Sequence, residues 1–170
     1  QQESINTIHP PLKKVIEKLP SILKIAIQLG NLEKFKLLCK NGFNIHSQDR
    51  KKRTALHLAV LCGQNEIAEH LLKCEITLHS TDIYGRNALH YAAARGHDQI
   101  AKNLLEHEPS LATVKDQYNK NPFDYACQFD HSNLMSLLEH PIEIGKKRRK
   151  LEDKKIDENQ TNIPNLAFSK

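Results

Sequence analysis

Laid over itself at an offset of 33 residues, the chain repeats its own chemistry, and this limits the possible folds more than any other property of the sequence. The clearest unit is DIYGRNALHYAAARGHDQIAKNLLEHE, residues 82–108. Asp82-Ile83-Tyr84-Gly85 reads as a tight turn, with Gly85 supplying a positive φ. Asn87 follows as the N-cap of a short helix over 88–95, and Gly96 stops it. A second helix over 97–105 carries Ile100, Ala101, Leu104 and Leu105 as one apolar stripe. Two helices this short cannot bury that stripe alone, so the unit requires neighbours of its own shape.

Those neighbours are in register. At Asp49 the cap recurs as Thr54, the stop as Gly63 and the stripe as Ile67, Ala68, Leu71 and Leu72. A further 33 residues back, Ser21 takes the cap and Gly30 the stop, with Phe35, Leu37 and Leu38 in the stripe. Forward, the step is 34, to Asp116, with Asn119 at the turn glycine's place, Asn121 as cap and Pro122 at the first helical position. The extra residue falls in the crossover around Glu108-Pro109-Ser110-Leu111, where an insertion leaves the stacking intact. First helices are expected near 22–29, 55–62, 88–95 and 122–129, and second helices near 31–40, 64–73, 97–106 and 131–139.

Thr54-Ala55-Leu56-His57-Leu58-Ala59 and Asn87-Ala88-Leu89-His90-Tyr91-Ala92 resemble the ankyrin repeat's T-P-L-H-x-A signature, at that family's period. The resemblance covers about residues 21–140 and implies an all-α ankyrin-repeat solenoid of about four helix-turn-helix repeats. The units divide as 21–48, 49–81, 82–115 and 116–140. It also implies that His57 and His90 tie neighbouring loops by hydrogen bonds. The pattern is broken at Lys52, which replaces the turn glycine, at Asp124, which replaces the histidine, and at Asp130, which replaces the stop glycine. The last two belong to the final unit, as a remodelled end of the stack requires.

Residues 1–20 read as an arm and an N-terminal capping helix, because Leu12, Val15, Ile16 and Leu19 fall on one helical face before Pro20. Residues 141–170 form a basic polar tail, and its apolar end, 163–168, is either a short partner motif or a flap onto the stack. The only methionine is Met135, so the sequence is expected to be a piece of a longer chain. No apolar run is long enough to span a bilayer as a helix. Cys39, Cys62, Cys74 and Cys127 show no CxxC pairing and read as thiols of a reducing, intracellular compartment, cytoplasmic or nuclear.

The net charge of +5 raises the question of nucleic acid, so its location matters. Residues 141–170 hold eight Lys/Arg against five Asp/Glu, and the densest run is Lys146-Lys147-Arg148-Arg149-Lys150. The repeats are close to neutral and offer no phosphate-tracking stripe. The basic run has three readings: a nuclear-import peptide, a patch for acidic lipid or nucleic acid, and a merely solvated tail.

In a stack of this kind the turn tips and the inner faces of the first helices form one concave surface. The tips offer Arg50, Lys51 and Arg53, then Ile83, Tyr84 and Arg86, then Tyr118 and Lys120. The inner helices offer Leu29, Leu61, Cys62, Arg95 and Phe129. Aromatic and arginine side chains on a rigid surface are the types that dominate protein-binding hot spots, so the leading function is a non-catalytic protein-binding module, monomeric and without a cofactor. No nucleophile shares the spacing of His57 and His90, and no Gly-rich phosphate loop occurs. His70, Cys74 and His79 come nearest to a metal cluster but lack a fourth ligand. The alternatives are a targeting or regulatory segment of a larger enzyme and nucleic-acid binding through the tail. The Lys-, Ile- and Asn-heavy usage also gives the chain a resemblance to host-directed effectors that intracellular bacteria secrete, which would place it in a host cell.

Overall fold

The computed structural model describes residues 21–146, apart from 75, 142 and 145. Eight α-helices follow in pairs: α1 (Ser21–Gln28) with α2 (Leu32–Lys40), α3 (Ala55–Leu61) with α4 (Asn65–Leu72), α5 (Ala88–Arg95) with α6 (Asp98–His107), and α7 (Pro122–Gln128) with α8 (Ser132–Glu139). Among the described residues there is no strand. The pairs are numbered here as repeats 1 to 4. First helices pack on first helices and second on second, giving two layers. The seam between them is one continuous core that includes Leu23, Ile27, Phe35, Leu56, Ile67, Leu71, Leu89, Ile100, Leu104, Leu105 and Leu134.

Four of the helices start where a polar side chain satisfies a free amide. Thr54 accepts from the His57 amide, Asn87 from that of His90 and Asn121 from that of Asp124. In all three the residue at the third helical position reaches back to the cap's own amide, closing a reciprocal box. The first repeat differs, since Ser21 is not a cap but the first residue of α1. Asn31, by contrast, caps α2, accepting from the Lys34 amide at 2.8 Å.

The breaks in the sequence pattern do not alter the backbone. Lys52 and Asn119 take the left-handed conformation, at φ of 58° and 60°, as Gly85 does in repeat 3, and Asp130 takes it at 57°, as Gly30, Gly63 and Gly96 do at the stops of the other repeats. The extra residue of the third crossover is absorbed in a 3-10 turn, Pro109–Thr113, rather than an open loop. Leu111 is fully buried there, and its carbonyl accepts from the Asn87 side chain at 3.0 Å. Beyond α8, residues 141, 143, 144 and 146 are helical, and Ile144 packs against the core. The capping helix expected over 12–19, the tail beyond Lys146 and its apolar end lie outside the described residues.

Candidate partner-binding face

Each turn tip is built on one aspartate. Asp82 Oδ1 accepts from the amides of Tyr84 and Arg86 at 2.8 and 3.0 Å, which fixes the turn. Its Oδ2 accepts from Arg86 Nε and a terminal guanidinium nitrogen at 3.0 and 2.7 Å, and from the Tyr91 hydroxyl at 2.7 Å. Asp49 repeats the arrangement with Arg53, and Asp116 with the Tyr125 hydroxyl. Burial pushes the Asp82 carboxyl up, yet the bonds from Arg86 and Tyr91 outweigh it and leave the pKa below the usual carboxylate value. Burial and the bond to Asp82 together raise the Tyr91 hydroxyl to about 12.

This arrangement changes the standing of two residues that the sequence singled out. Arg53 and Arg86 were expected as free contacts, but both guanidiniums are held by their own aspartates and are mostly buried. Arg86 is also sandwiched between the rings of Tyr84 and Tyr91, 4.8 and 4.9 Å from their centroids. Their role is to hold the turn. In repeat 4 the position belongs to Lys120, which bonds the Gln128 side chain at 2.6 Å instead of the aspartate.

The tips are joined to one another. The Ile83 amide donates to the Lys51 carbonyl at 3.0 Å, and the Gln117 amide to the Tyr84 carbonyl at 2.9 Å. One step inward, His57 Nε2 meets the Arg86 carbonyl and His90 Nε2 the Lys120 carbonyl, both at 3.1 Å. Each Nδ1 faces the amide of its own cap residue, at 3.3 and 3.2 Å, so the amide donates to Nδ1 and the ring proton sits on Nε2. Burial holds His57 neutral, lowering its pKa to about 4, and shifts His90 in the same direction. The loop-tying role that the resemblance implied for these two histidines is what the geometry shows.

With the turns locked, the concave surface is a fixed array. Leu29, Cys62, Arg95 and Phe129 form one row along it at steps of 33, 33 and 34, and all four are exposed. Leu29 is 73% exposed, although nothing in the repeat requires an apolar residue there. Leu61 is half-buried behind the row. At the tips Arg50, Lys51 and Ile83 are exposed, Tyr84 is half-buried against Arg86, and Tyr118 is 65% exposed. Sequence reasoning missed a second row, Gln64, His97 and His131, each one residue past the helix-stop position, which is Gly63, Gly96 and Asp130 in turn. Their side chains lie where a Cβ on Gly30, Gly63 and Gly96 of the preceding repeat would fall, the closest approaches being 2.4, 2.8 and 2.9 Å. Only glycine admits them, and the shared step of 33 or 34 residues was the available signal. The His131 ring also stacks on Phe129, with centroids 6.4 Å apart.

Of the four thiols, Cys39 and Cys74 are partly buried, whereas Cys62 and Cys127 are exposed. Burial raises the Cys39 pKa. His79 sits 3.7 Å from Glu108, away from His70 and Cys74, and no group of three metal-ligating side chains occurs among the described residues. No helix among them is long and apolar enough to cross a membrane. Lys146 is exposed, while Lys147, Arg148, Arg149 and Lys150 lie outside the described residues.

Comparison with known proteins agrees with this geometry. No match was found among curated proteins. The family model for ankyrin repeats, three copies long, matches residues 9–82 and again 74–148, so that most of the sequence is covered. Ankyrin repeats generally serve as protein–protein interaction modules and are typically non-catalytic. On the family match, the paired helices and the histidine-tied turns together, the chain belongs to the ankyrin repeat family.

Proposed function

We propose that the protein binds a partner protein through the concave row and the turn tips, without catalysis of its own. The observation that carries this reading is the set of apolar and aromatic side chains left in water where the repeat does not need them: Leu29, Ile83, Tyr118 and Phe129. They stand on a surface whose turns are pinned by aspartates, so little ordering entropy opposes binding. Arg50, Lys51, Cys62, Arg95 and Lys120 surround them and favour a partner segment that combines acidic and apolar residues. The test is a comparison of capture from cells that carry the protein, using wild type and the Ile83→Ala/Tyr118→Ala/Phe129→Ala variant. Because these side chains are exposed, each change should alter stability by no more than ~0.5 kcal/mol. Loss of capture at an unchanged melting temperature is expected, and undiminished capture would remove the site.

In its finer form the proposal makes the chain a host-directed bacterial effector, which the Lys-, Ile- and Asn-heavy usage favours. A translocation reporter fused to the chain tests this, and no signal in the host cell overturns it. The run at 146–150 would then serve nuclear import, tested by neutralising it and following the reporter's position.

A further inference from the structure

The seam between the second helices of repeats 1 and 2 holds two thiols that take no part in the concave face. Second helices of neighbouring repeats meet through residues 34 or 35 apart in sequence. His70 packs edge-on against Phe35 with centroids 6.1 Å apart, Asn103 donates to Glu69 at 3.1 Å, and Asn133 donates to Asp98 at 2.9 Å. Cys39 and Cys74 stand at the same separation, 35 residues. Each lies one helical turn beyond a member of the Phe35–His70 contact, so both fall on the side of the seam where that contact is made. The Cys74 thiol donates to the His70 carbonyl at 3.2 Å and lies 3.9 Å from His70 Nε2. Cys39 packs against the core from the repeat 1 side. Both are partly buried. Burial raises the Cys39 pKa first, and the charge of a Cys74 thiolate within electrostatic reach raises it further.

We propose that Cys39 and Cys74 form a dithiol site that glutathione disulfide converts into a cross-link between repeats 1 and 2. Cys74 begins the exchange, because His70 Nε2 is placed to take its proton while burial keeps Cys39 protonated. The Cys74 thiolate attacks one sulfur of glutathione disulfide, and the departing glutathione takes the proton from His70. The Cys39 sulfur then attacks the Cys74 sulfur of the mixed disulfide, and its own proton goes to the second glutathione as that leaves. The pair gives up two electrons and two hydrogens, and one glutathione disulfide becomes two glutathiones. Cys74 lies beyond the last residue of α4, so closing on Cys39 unwinds no helix. The cross-link encloses the repeat 2 turn with α3 and α4 and ties them to repeat 1, whose Leu29 begins the concave row. Repeat 1 ends the described stack, and end units open more readily than inner ones, so this seam gains most from being held.

The test equilibrates the full 170-residue chain with glutathione and glutathione disulfide at a series of ratios, quenches it with acid, and reads the mass and the non-reduced peptides. Wild type should lose two hydrogens and yield one pair of peptides joined through Cys39 and Cys74, as should Cys62→Ser/Cys127→Ser. Cys39→Ser should instead keep a glutathione on Cys74. In oxidised wild type the amides of α1 and α2 should exchange about tenfold more slowly than in the reduced protein, with those of α5 and α6 unchanged. A wild type that stays reduced at every ratio overturns the proposal, as does one that stops at glutathione adducts or joins Cys62 or Cys127. Unchanged exchange in a cross-linked chain overturns the tie between the repeats. Should Cys39→Ser fail to fold, the wild-type masses and peptides decide alone.

Discussion

Repeats 3 and 4 carry the same device, an aspartate turn followed by an asparagine cap, but among the described residues only repeat 3 of the two has a later repeat to hold. In repeat 3 the third helical residue is His90, whose far nitrogen crosses to the Lys120 carbonyl. In repeat 4 that place belongs to Asp124, which closes the cap box at 2.8 Å and is exposed, as suits a side chain with no later turn to reach among the described residues. Asn87 is fully buried and also reaches Leu111, whereas Asn121 serves the cap alone. Arg86 clamps its aspartate, but Lys120 lets go of it and Tyr118 stands free. The difference shows which parts of the motif build the repeat and which only join it to the next.

Acid should separate the two kinds of repeat most strongly. His57 has a folded pKa of about 4 against an ordinary 6.5, so the unfolded chain takes up the proton first. Stability is then complete above pH 6.5 and is lost as pH falls from there toward 4, by about 3 kcal/mol for this residue. His90 adds to the loss in the same direction, while repeat 4 carries Asp124 rather than a histidine at that place. Urea titrations at a series of pH values would show this slope, and a flat profile between pH 7 and 5 would break the comparison.

Cap deletions follow in size. Asn87→Ala leaves the Leu111 carbonyl without its donor and should cost about 2–3 kcal/mol, against about 1 kcal/mol for Asn121→Ala, both read from urea midpoints. The turns should differ as well. A Cβ on Gly85 would sit 3.3 Å from the backbone of Asp116 and Gln117 at a φ of +78°, so Gly85→Ala should destabilise by about 1–2 kcal/mol. At the matching place in repeat 4, Asn119→Gly relieves a left-handed side chain and should stabilise by ~0.5 kcal/mol in thermal melts. The smallest effect expected is from Lys120→Arg, which restores the clamp on Asp116 and should add about 0.5 kcal/mol while lowering the exposure of Tyr118.

Much of the stack was legible because it obeys a period. The caps Thr54, Asn87 and Asn121 and the buried stripes all announce themselves at steps of 33 or 34. The site was less legible, because whether a side chain is free depends on bonds that spacing does not encode. Arg86 and Tyr118 both looked like contact residues at a tip. A carboxylate and two rings hold the first, and only the loss of an arginine two residues on frees the second. The row of Gln64, His97 and His131 was hidden for the opposite reason: its function as a lid on the stop glycines shows only once neighbouring repeats are in contact.

The most direct test of a concave binding face is to place a photo-crosslinking phenylalanine derivative at Tyr118 in one protein and at the exposed, convex Lys102 in another, then irradiate each in cells that carry the chain. The account predicts a discrete protein adduct from position 118 that excess wild type suppresses, and none from position 102. Adducts from 102 alone, or equal adducts from both, would contradict it.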